Sequence, residues 1–105
     1  MTTKLVEPTT TAQTHVETAW RLFDGPARYG AFLSPWTTSP NGDGQPIATT
    51  TVNGQHANAA LHRFASTYPV VLADPGDQHP QLSYTDTGSE VTMRSGGVWI
   101  RLVAA

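Results

Sequence analysis

Residues 81–103 read QLSYTDTGSEVTMRSGGVWIRLV, and they decide the fold. The stretch is rich in β-branched and aromatic residues and is broken twice by small turn residues, Gly88-Ser89 and Gly96-Gly97. Two-residue hairpin loops favour such residues because their central positions need positive φ. A turn at Gly88-Ser89 pairs Tyr84 with Met93 and Asp86 with Val91. A turn at Gly96-Gly97 pairs Met93 with Ile100 and Val91 with Leu102. Both registers bring the apolar alternation onto one face. The expectation is a three-stranded meander of 81–87, 90–95 and 98–103, with Tyr84, Val91, Met93, Ile100 and Leu102 buried. The opposite face then sets Arg94 against Trp99 and Thr92 against Arg101, with Ser83 and Thr85 completing it. It is polar except for Trp99 and Val103.

Working upstream, Asp74-Pro75-Gly76-Asp77 places Pro and Gly at the centre of a type II turn. Val70-Val71-Leu72-Ala73 is short and wholly apolar, as a strand buried on both faces would be. Residues 55–67 predict a helix: Ala57, Ala60, Leu61, Phe64 and Tyr68 share one side, while Asn58, His62 and Arg63 point away. Residues 47–52, IATTTV, read as a strand closed by Asn53-Gly54. Before them, 34–46 (SPWTTSPNGDGQP) reads as a long loop whose one large apolar residue is Trp36. Ala31, Phe32 and Leu33 suit a short strand or a turn of helix. Residues 14–24 predict a first helix. Thr14 and Glu17 form a capping-box pattern, and Val16, Ala19, Trp20 and Phe23 make an apolar stripe. Residues 1–13 are polar and interrupted by Pro8, so they read as an extended arm with Leu5 and Val6 as its apolar anchors. The expected fold is α+β: two helices packed on a mostly antiparallel sheet of four to five strands, ending in the meander. It occupies one domain, 14–105, preceded by the arm.

The 105 residues suffice for one modest core. Leu, Ile, Val and Phe number only 20, but a net charge of −2 is too small to keep the chain unfolded. Cysteine is absent, which excludes disulfides, thiol catalysis and thiolate metal sites. No apolar run is long enough to span a bilayer, and no basic region followed by an apolar core opens the chain. The expected setting is the cytoplasm or a virion. Six basic residues and a pI near 6.0 argue against nucleic-acid binding. Five arginines against one lysine, with 16 threonines and 12 alanines, fit the codon bias of a GC-rich bacterial or phage gene. Only 13% of residues are charged. A weakly charged, Thr-rich surface loses little solvation when it meets another protein.

The chain carries no nucleophile elbow, phosphate loop or dinucleotide glycine pattern. His15, His56, His62 and His79 lack the spacing of metal ligands, since His56 and His62 fall on different sides of a helix. Asn41-Gly42-Asp43-Gly44 lacks the later ligands of a calcium loop and reads as turns. No catalytic, metal or cofactor site is expected. Partner-binding candidates are Leu5, Val6, Trp36, Arg94, Trp99 and Arg101, because Trp and Arg are enriched where contacts carry binding energy. For Trp36 the leading reading is a plug that pins its loop to the core, and Trp99 serves equally as a cross-strand cation–π partner of Arg94. These features point to a non-enzymatic assembly or interaction subunit, such as a capsid-decoration or head–tail component of a phage, self-associating or built into a larger assembly. Two rival readings remain. One is a ligand-binding protein or enzyme whose pocket is lined by Trp36, Tyr29 and His56; the other is a small inhibitor of a host protein.

Overall fold

A computed structural model describes residues 8–22, 28–40, 44, 46–68, 75–86 and 88–104. The described elements are α1 (Pro8–Leu22), β1 (Ala31–Leu33), β2 (Thr37–Pro40), β3 (Pro46–Gly54), α2 (Ala57–Thr67), β4 (Gln78–Thr85), β5 (Gly88–Ser95) and β6 (Val98–Ala104). The fold is α+β, with the helices packed on one face of a six-stranded mixed sheet. Strand order is β1-β3-β6-β5-β4, and β2 also pairs with β3. No described helix is long and apolar enough to cross a membrane.

The β5–β6 hairpin has the register its glycines dictate, with Met93 opposite Ile100 and Val91 opposite Leu102. Gly96 and Gly97 adopt φ of 60° and 80°, a double left-handed pair that residues with a Cβ resist. Val91, Met93, Ile100 and Leu102 are buried against Leu61 and Phe64 of α2 and Val16 and Trp20 of α1. The Trp20 and Phe64 rings meet at 5.1 Å, and the Trp20 indole N–H donates to the Ala31 carbonyl at 3.0 Å. That bond satisfies a polar group that burial would otherwise leave unpaired.

The β4–β5 hairpin departs from expectation. Thr85 pairs with Gly88, Tyr84 with Ser89 and Leu82 with Val91, so the hairpin closes at the Thr85–Gly88 pair and Gly88-Ser89 lies inside β5. A slip of four residues keeps each side chain on its face, which is why alternation alone could not detect it. The observed register gains two contacts. Leu82 comes to face Val91, and the Ser89 hydroxyl donates to Asn58 Oδ1 on α2 at 2.7 Å. Gly88 gives Asn58 room, because a Cβ there would lie 3.1 Å from its Oδ1. Tyr84 moves to the rim and is 76% exposed rather than buried, with the His62 ring at 5.8 Å.

Other differences have local causes. The first helix begins at Pro8, not Thr14, so 8–13 are helix rather than arm and Thr14 is not its cap. Proline suits a first helical position, and Ala12, Val16 and Trp20, four residues apart, extend the buried stripe toward it. The segment 34–46 is not structureless, because Thr37–Pro40 forms β2 against the first half of β3 while β1 covers the second half. Between them Ser34 N–H donates to Thr51 O, and buried Thr50 donates its hydroxyl to Ser34 O at 2.6 Å. Pro75 and Gly76 do turn, but Gly76 lacks the positive φ of a type II turn. Its missing Cβ instead leaves space for the Arg94 guanidinium. Residues 1–7, with Leu5 and Val6, the 70–73 strand, Phe23, Asp74 and the 41–43 turn lie outside the described residues.

Candidate interaction face

β3 and β6 pair in parallel, from Ile47 opposite Trp99 to Val52 opposite Ala104. This pairing joins the meander to the N-terminal strands and builds one continuous outer face. Three rows cross it. Arg94, Trp99, Ile47 and Ser39 form the first. Gln81, Thr92, Arg101, Thr49 and Thr37 form the second. Ser83, Glu90, Val103 and Thr51 form the third. Both described helices contact the opposite side, where Ala48, Thr50, Val52, Val98, Ile100 and Leu102 are buried.

The charges of this face are paired within it or at its rim. Arg101 Nε and Nη2 bind Glu90 Oε2 at 2.8 and 2.7 Å, with the two side chains 43% and 20% exposed. Arg94 Nη1 lies 3.3 Å from Asp77 Oδ1, at 12% and 0% exposure. The Asp77 carboxylate also accepts Gly96 N–H at 2.9 Å and Gly97 N–H at 3.1 Å. The left-handed glycines aim both amides at one anion, forming a small backbone nest. Asp77 therefore ties the approach to β4, the β5–β6 turn and Arg94 together.

Arg94, Trp99 and Arg101 are thus brought onto one face. Trp36 is not: its indole N–H donates to Glu17 Oε1 of α1 at 2.7 Å, and its ring packs partly buried against the core. Trp36 also lines a groove of about 370 Å³ between α1 and β1, with Glu17, Trp20, Arg21, Phe32 and Leu33. Tyr29 and His56 do not line it, so the expected pocket of these two with Trp36 is not formed there. His56 is exposed beside the start of α2, and Tyr29 packs against the core from the chain before β1.

Sequence reasoning missed Ile47, Thr49, Thr51 and Glu90 as members of the face. The alternation within IATTTV already separated Thr49 and Thr51 from Ala48 and Val52, but their face had no meaning until β6 was known to be the neighbour. Glu90 was within reach of the β5–β6 register, which sets it diagonal to Arg101. No family model matches the chain, and no curated protein or solved structure matches it significantly.

Proposed function

We propose that the chain is a non-enzymatic assembly or interaction subunit, and that the outer sheet face is its contact surface. One observation carries this reading: the face spans the sheet with Trp99, Ile47, Val103 and a field of threonines, while both its arginines are already matched by carboxylates. Covering such a face removes little charge from water and buries an aromatic and two β-branched side chains. In its narrower form the reading makes the protein a phage virion component, a decoration or head–tail subunit, acting in the cytoplasm and then the particle.

A photoreactive residue at position 49 tests the proposal in cells that make the protein. Discrete protein adducts are expected from position 49, and none above background from exposed Arg63 on the far side of α2. Equal labelling from both positions would remove the contact reading. The groove beside Trp36 favours a second reading, a small-ligand binder. That reading expects Trp36→Ala to abolish ligand binding and leave adducts at position 49 unchanged.

A further inference from the structure

We infer that the occupant of the outer face is a second copy of this chain, forming a two-fold, sheet-on-sheet dimer. The inference rests on the contact reading above and names its partner. The first argument is charge. Arg94 is offset by Asp77 and Arg101 by Glu90, so two copies can face each other without net repulsion. The Arg101–Glu90 pair is also the most accessible dipole on the face. A two-fold axis lying between the sheets, and running across the direction of that pair, sets the dipoles of the two copies antiparallel. Among the described residues, the face offers a strongly charged partner no unmatched charge to select it.

The second argument is area. Five strand positions and the seven residues of β6, at about 4.8 Å per strand and 3.3 Å per residue, span roughly 24 by 23 Å, or some 550 Å² in projection. Side-chain relief raises the accessible area above that figure. A specific interface buries about 800 Å² per partner, and transient ones less. The face therefore lies in the range of a weak, reversible dimer rather than an obligate one, and twisted sheets pack face to face at about 30° with interleaved side chains. Such an interface is isologous, so each favourable contact occurs twice.

Sedimentation of the full chain, from about 1 to 500 µM, tests the inference through the dependence of assembly on concentration. The expected mass rises from 11.3 kDa toward twice that value. Thr49→Arg and, separately, Thr51→Arg each set two new cations against the face of the other copy. Each is expected to raise the dissociation constant about tenfold or more, with the melting temperature of the dilute monomer unchanged. A mass of 11.3 kDa at every concentration would overturn the inference. So would a dimer that both arginine variants leave intact, because it would use another surface. Cross-linking from position 49 separates the two levels. Adducts of twice the monomer mass support the second copy. Adducts to a different protein alone overturn it and leave the contact reading standing. No adducts remove both.

Discussion

The two faces of the sheet come from the same strands and the same alternation, yet they are sealed by different means. On the inner side, Val91, Met93, Ile100 and Leu102 lie under two helices, and buried Thr50 is hydrogen-bonded to Ser34. On the outer side, threonines and two ion pairs flank Trp99, Ile47 and Val103, and no described helix covers them. A face meant for water alone carries unpaired charges, because they are well solvated and discourage association. The scarcity of such charges here marks a surface suited to being wet or covered. The inner face holds the fold together, and the outer face is the one we propose for contact.

Substitution at adjacent positions gives the largest contrast. Val91 is fully buried, and its neighbour Thr92 points outward. Val91→Asp must bury an unpaired carboxylate or protonate it, at a cost of about 4 kcal/mol or more. Thr92→Asp should change stability by about 0.5 kcal/mol at most, beside Arg101 on a partly open face. Urea denaturation of the two variants measures both. Similar losses would mean that the faces are not distinct.

The sheet edge should be nearly as sensitive. Gly54 ends β3 opposite Ala31 with φ of 134°, a backbone region that residues with a Cβ avoid. A Cβ there would strike the Gly30 carbonyl and lie 3.1 Å from the Ala31 Cα. Gly54→Ala should cost about 3 kcal/mol, from strain and from displacing β1. A thermal melt within a degree of the parent would show that β1 does not need this approach.

The two ion pairs of the outer face are also unequal. The Asp77 carboxylate is fully shielded from water and serves Arg94 and two amides, whereas Arg101 and Glu90 are partly in water. Asp77→Ala leaves Arg94 nearly enclosed without that carboxylate and should cost about 2–3 kcal/mol. Arg101→Ala should cost less than about 1 kcal/mol, the range of exposed pairs. Chemical denaturation of both variants ranks them, and the reverse order would mean that the nest around Asp77 is not what holds the turn.

How far the fold was legible depended on what each register answered to. Gly96-Gly97 is a turn for backbone reasons alone, so the β5–β6 pairing could be read from the chain. Gly88 looked equivalent, but its glycine serves close packing against Asn58, a contact 30 residues away in sequence. The inward side of α2 was legible because a helical stripe shows itself in any window of two turns. The β3–β6 pairing was not, since a parallel pair is chosen by packing across the whole domain. The candidate face followed suit: its Trp/Arg half on β5 and β6 was readable, and its Thr/Ile half on β3 needed the topology. Trp36 reads from the sequence as a core plug or a partner anchor; its ring packs against the core, as the first reading expects, and only the structure shows its indole N–H donating to Glu17 of the same chain.

The smallest effect concerns the boundary of the inner face. Tyr68 closes α2 with its N–H donated to Phe64 O at 2.9 Å, and its ring stacks on Phe64 at 4.9 Å. Burial raises its phenol above the ordinary value of 10, because the phenolate is poorly solvated there. Between the unfolded and folded values, the folded chain therefore holds a proton that the unfolded chain has released. Stability from this group is complete below pH 10 and is lost as pH rises through the folded value. Tyr68→Phe keeps the ring stack and removes the titration. Below pH 9 its urea midpoint should lie close to the parent's. Above pH 10 the parent should lose stability more steeply than the variant, at one fixed protein concentration so that any self-association contributes equally. Parallel curves through pH 11 would mean that the hydroxyl is as well hydrated in the fold as in the open chain, and that the inner face ends before Tyr68.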